Sequence, residues 1–230
     1  MTVRVDGADE VGRGPLSTAA LAVYRALVLE VLLLLTLAPT IVVWTLLVPD
    51  PTNVWLYALS GLAIGPALSA GLYASRAWAL ERDQRPAAAF WRGYVRGFWP
   101  VLRWWTPALA LAAILVLDVA FADHVPGGAA LRPAAVLLLA VLTVVAGHLL
   151  VVTTFFSFRT LDAARIALYC LGRCPTASLG VLALVVAGVG LAVLGGDVLA
   201  LLLLFAFVRL AHLNARSVLT LVTETFTRHA

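Results

Sequence analysis

Long apolar runs alternate along this chain with short clusters of charge, and the runs have the length of bilayer crossings. Leu16 to Val48 is almost wholly apolar and stops at Pro49-Asp50-Pro51, where proline disfavours helix for its predecessor and lacks the amide needed by the preceding turn. Read the same way, the pattern predicts spans over about 20–48, 53–79, 101–122, 134–158, 176–194 and 198–222, each near or above the roughly 20 residues that cross a hydrocarbon core. Two shorter stretches are amphipathic instead. Over about 86–99, Phe90, Trp91, Tyr94, Val95 and Phe98 share a helical face from which Arg92, Arg96 and Trp99 are rotated away. Over about 160–173, Asp162, Arg165, Tyr169 and Arg173 recur three or four apart, with Leu161, Ala164, Leu168 and Leu171 between them. Both predict helices lying along a membrane surface. The expected fold class is all-α: a polytopic membrane helical bundle with six transmembrane helices plus two cytoplasmic interfacial amphipathic helices.

The ends carry less. Residues 1–15 hold Asp6, Asp9, Glu10 and three glycines and read as a cytoplasmic tail, as do residues 223–230. Leu16 to Val48 is far longer than the apolar region of a secretory leader, so it is expected to stay as the first helix.

Charge orients the bundle. From Gly65 to Trp105 the chain collects Arg76, Arg82, Arg85, Arg92, Arg96 and Arg103 together with Trp78, Trp91, Trp99, Trp104 and Trp105. Arginine in short loops stays on the cytoplasmic side, and indole rings settle at headgroup depth. If Gly195-Gly196-Asp197 is an outer turn, fifteen of the sixteen cationic residues, all arginine, face the cytoplasm and only Arg132 lies outside. A single last span would export Arg209, Arg216 and Arg228, so six spans with both termini cytoplasmic are expected. With 63% apolar and 12% charged residues and a mean hydropathy of +1.01, the composition excludes an ordinary soluble domain. The net charge of +4 is then an orientation signal and a contact for anionic lipid, not a nucleic-acid footprint.

Three groups of residues stand out as candidate sites. Gly61, Gly65 and Pro66, continued by Ser69 and Gly71, mark a kink and packing site in the second span, because small residues admit a neighbouring helix and Pro66 leaves the carbonyl of Leu62 without its helical donor. Glu30 is the most awkward charge in an apolar run. Counting depth at about 1.5 Å per residue from the outer turns matches it to Arg216, on a last-span face shared with Arg209 and His212. These four form a candidate intramembrane polar cluster in which Glu30 pairs with Arg216, or with Arg209 if the helices tilt; the equal alternative is that Glu30, with Arg25 close in sequence, snorkels to the cytoplasmic interface. Trp91, Arg92, Arg96 and Trp99 form a candidate docking or lipid face, since aromatics and arginine are enriched at interfaces.

Other polar residues have structural readings. Cys170 and Cys174 sit one turn apart without a second pair or a nearby histidine, and read as small apolar side chains. His148, midway along the fourth span, could relay protons but reads first as a hydrogen-bonding partner for a neighbouring helix. Asp118 reaches the outer interface. No nucleophile elbow, zinc-protease motif or phosphate loop is present, so neither an enzyme nor a cofactor nor a metal is expected.

The order GPALSAGLY, a short loop with ERD, then FWRGYVRGFWPVLRWWTPAL resembles the YesL-like family of bacterial integral membrane proteins, in its actinobacterial form. The likeness is densest from Tyr57 to Leu109, and the six-span layout covers nearly the whole chain. It implies a bacterial plasma-membrane location and a setting beside carbohydrate uptake and degradation. The family's molecular activity is undetermined, and where its members usually carry an Asn after the aromatic and arginine run this chain has Gly97. Two functions are expected from residues and resemblance together: an accessory component associated with carbohydrate uptake or utilisation, possessing a docking surface for an import system, or a small secondary transporter with a site near the broken second helix.

Overall fold

The structure is a computed structural model that describes residues 15–80, 85–124 and 126–226. The predicted N-terminal tail, the ERD segment and the last residues of the C-terminal tail lie outside the described residues. Among the described residues ten α-helices follow one another: α1 (Pro15–Leu46), α2 (Val54–Ser60), α3 (Ile64–Leu80), α4 (Pro86–Phe121), α5 (Gly128–Phe155), α6 (Thr160–Arg173), α7 (Pro175–Gly195), α8 (Asp197–Leu201), α9 (Leu204–Asn214) and α10 (Arg216–Phe226). Among the described residues there is no strand. Six segments are long and apolar enough to cross a membrane, among them Pro51–Leu80, Pro175–Gly195 and Leu204–Thr225, so the all-α bundle of six spans stands.

The bundle is built round α3. Its buried residues are mostly small, including Gly65, Ala67, Ser69, Ala70, Gly71 and Ala74, and α1, α4, α5 and α9 all pack against it. Between helices in lipid there is little hydrophobic driving force, so close backbone approach and interhelical hydrogen bonds hold the pairs together. Large apolar side chains such as Leu35, Leu59, Leu137 and Val186 face outward instead, as a lipid-facing surface requires.

Two elements differ from the sequence expectation. The interfacial helix predicted over 86–99 does not turn away at Pro100; it continues as the first half of α4, a single 36-residue helix with Pro100 and Pro107 inside it. The reason lies in the α3 contact. A Cβ at Gly93 would fall 2.8 Å from Cβ of Tyr73, and one at Gly97 would fall 2.7 Å from Oγ of Ser69. Two glycines four apart thus let the first half of α4 lie directly on α3, in one line with the rest of the helix. Its buried side is Ala89, Phe90, Gly93, Gly97, Val101 and Trp104, while Val95 is exposed. The last span is also not continuous. Gly196, at φ 82°, makes the predicted outer turn, but α8 ends at Leu201 and a fresh helix, α9, starts at Leu204.

By contrast α6 has the predicted form. Ala163, Ile166, Ala167 and Cys170 are buried, and Leu161 and Leu168 are exposed on its far side. An extended link over 156–159 joins it to α5.

Candidate functional site

The break in the second span falls one turn before Pro66, where Gly61–Ala63 forms a 3₁₀ turn. The carbonyl taken by a side chain is that of Gly61, which accepts a hydrogen bond from Nε1 of Trp105 at 3.0 Å; Pro66 alone predicts Leu62. The same indole lies over Gly65, where an added Cβ would stand 2.8 Å from the ring. Gly61, Gly65 and Pro66 are therefore brought together as a packing site, filled by a tryptophan whose part in it the sequence did not reveal. A second bond closes the outer end, from the Thr40 hydroxyl to the carbonyl of Ser60 at 2.6 Å.

Of the proposed polar cluster, the structure brings α1 against α9 but gives Glu30 another partner. Oε2 of Glu30 accepts the backbone amide of Phe205 at 2.8 Å. Among the described residues no ion pair joins Glu30 to Arg209 or Arg216. The depth count assumed an unbroken helix from Asp197, whereas the chain breaks at Leu202 and Leu203 and exposes the first-turn amides of α9. A helix N-terminus leaves donors without intrahelical acceptors and carries partial positive charge, so a carboxylate satisfies it better than a guanidinium one or more turns away. Glu30 is 7% exposed, and its Oε1 has no hydrogen-bond partner. His212 is buried against the Phe155 ring, 6.3 Å between centroids, and Arg76 covers the same ring at 4.8 Å. Arg209 and Arg216 are exposed.

The predicted docking face is on one side of the first half of α4. Trp91 and Trp99 are 41% and 65% exposed, and Arg92 and Arg96 are exposed beside them. Trp91 meets Tyr94 edge-on at 5.6 Å, and Trp99 meets Phe98 at 5.5 Å, so the exposed indoles are braced by neighbouring rings. Arg96 also borders a polar recess of about 340 Å³ between α3, α4, the 156–159 link and the start of α6.

A second cavity, of about 400 Å³, lies between α3, α4, α5, α7 and α9 and is almost wholly apolar. Its polar groups are already engaged: the Thr143 hydroxyl donates to the carbonyl of Leu139, the Asn214 amide to that of Ala177, and Nε2 of His148 lies 2.9 Å from Oγ of Ser178. The Ser178 hydroxyl in turn reaches the carbonyl of Leu171 at 3.2 Å, so His148 ties α5 through α7 to the end of α6, the structural role its position suggested. Cys170 and Cys174 are free and buried; burial, with Cys174 beside it, pushes the Cys170 thiol up to about 11. Such a thiol stays protonated at neutral pH and is a poor nucleophile or metal ligand. Among the described residues no group of His, Cys, Asp or Glu could hold a metal ion.

Comparison of the chain with family profiles, with curated proteins and with solved structures finds no match.

Proposed function

We propose that this chain is an accessory component of a membrane assembly, which presents the arginine and aromatic side of α4 to a partner protein at the cytoplasmic surface. The observation that carries the reading is the pair of exposed, ring-braced indoles Trp91 and Trp99 next to Arg92 and Arg96, residue types that concentrate binding energy when covered. Because the first half of α4 is continuous with a span, a partner docked there grips the membrane bundle itself. The apolar character of the central cavity favours this reading over transport of a hydrophilic solute, since no row of unengaged polar groups lines it. The resemblance to YesL-like proteins supports a carbohydrate import system as that assembly and the bacterial plasma membrane as its location.

A second reading, a small secondary transporter, is favoured by the discontinuous last span, whose half-helix α9 begins at the Glu30 carboxylate; half-helix termini of this kind build ion and substrate sites in transporters. Recovery with import-system subunits separates the two. Copurification lost on Trp91→Ala/Trp99→Ala, with no solute uptake by the purified protein in liposomes, is the expected result, and uptake without any partner would displace the accessory reading.

A further inference from the structure

The polar recess beside the docking face has the chemistry of an anion site. Three guanidiniums border it, Arg96 and Arg103 from α4 and Arg159 from the link before α6, and among the described residues no Asp or Glu lines it. The nearest acid in sequence to Arg159, Asp162, is turned to Arg165 at 3.6 Å, and among the described residues no carboxylate forms an ion pair with any of the three. The three side chains are exposed, so solvent screens their mutual repulsion, and an anion seated between them would relieve what remains. Arginine's planar fork suits it to paired hydrogen bonds with phosphate oxygens.

The floor of the recess is the hydroxyl pair Ser69 and Thr154, 2.9 Å apart. The Thr154 hydroxyl donates to the carbonyl of Leu150 at 2.6 Å and so serves as acceptor toward Ser69, which fixes the floor and leaves the arginines as the side-chain donors for an anion. Gly93 and Gly97 form the α4 wall of the recess, pressed against Tyr73 and Ser69 of α3. At its rim Thr160 is the first residue of α6, whose N-cap, Arg159, makes no side-chain cap, so that the positive end of a 14-residue helix adds to the three arginines. α6 is amphipathic with Leu161 and Leu168 exposed, which sets the recess at the level of a membrane surface, where phosphate groups are densest.

We propose that this recess binds a phosphate group, held by Arg96, Arg103 and Arg159. The group can be presented by an anionic phospholipid or by a free phosphate, and the site is independent of the partner-docking reading because its ligand is read without any partner protein. The test measures binding by purified full-length protein in two arms: to phosphatidylglycerol titrated into phosphatidylcholine nanodiscs, and to inorganic phosphate in detergent at constant ionic strength, by thermal shift. Saturable binding in at least one arm is expected, and the responding arm identifies the source. Arg96→Gln/Arg159→Gln should weaken it by about tenfold per arginine, the loss of one charge-assisted contact each. Arg165→Gln/Arg173→Gln, which removes the same charge from the exposed side of α6, should leave it within about twofold. No saturable response in either arm, or equal loss in the two double variants, would overturn the site. If the first double variant does not fold, Arg159→Gln alone, altered outside any helix, takes its place with the same expectation of a loss that Arg165→Gln does not show.

Discussion

At the scale of single residues, the most consequential side chain is Glu30, because it satisfies an amide that lipid cannot. Glu30→Leu removes that acceptor and should lower stability by about 1–3 kcal/mol, the cost of an orphaned buried donor, whereas Glu30→Gln keeps an acceptor oxygen and should cost less; melting temperatures in detergent measure both. Arg216→Glu should not rescue Glu30→Arg, since the partner of Glu30 is the main chain of Phe205. The depth count set Glu30 level with the last span but matched it to Arg216, because no side-chain pattern marks a backbone amide set free by a helix break. Cys170 was legible as a buried apolar group, and with a thiol near 11 it should resist maleimide at pH 8 in folded protein and react fully in dodecyl sulfate. Rapid labelling of the folded form would contradict its burial.

Between elements, the decisive contact is α4 lying on α3. Gly97→Ala places a methyl 2.7 Å from Oγ of Ser69, whose own Cβ is a tolerable 3.6 Å away, so Ser69→Ala should recover part of an expected loss of about 1–3 kcal/mol. Gly93→Ala collides with the Cβ of Tyr73 at 2.8 Å, which Tyr73→Ala retains, and no comparable recovery should follow. Coupling energies from the two double-mutant cycles test this contrast. Glycines four apart in FWRGYVRGFWP were visible beforehand as part of a surface helix. What hid their role was the amphipathic arrangement around them, which fits an interfacial helix and one half-buried against a neighbouring helix equally well, and Pro100, which reads as a stop but is accommodated inside α4. The second-span break was readable as a small-residue site because Gly61, Gly65 and Pro66 are close in sequence; Trp105, forty residues on, became its filler only through the fold.

For the whole molecule, run length marked five apolar regions long enough to cross a bilayer, and arginine placement divided the last of them into two spans. An even number of spans returns both ends to one side, and the arginine distribution predicts that this side is the cytoplasm. A phosphatase reporter in the Gly195–Asp197 turn should accordingly be active outside and the same reporter after Ala230 silent; activity at both positions would break the six-span topology. The bond from Glu30 to Phe205 closes the bundle across 175 positions of sequence. At about 5–20 residues per second of synthesis, roughly 9 to 35 s separate the birth of the carboxylate from that of the amide it serves. Throughout that interval the carboxylate of the nascent first helix is without the amide that it accepts in the finished bundle. Completion of the chain supplies it, so any product truncated before Phe205 keeps that carboxylate unsatisfied at membrane depth.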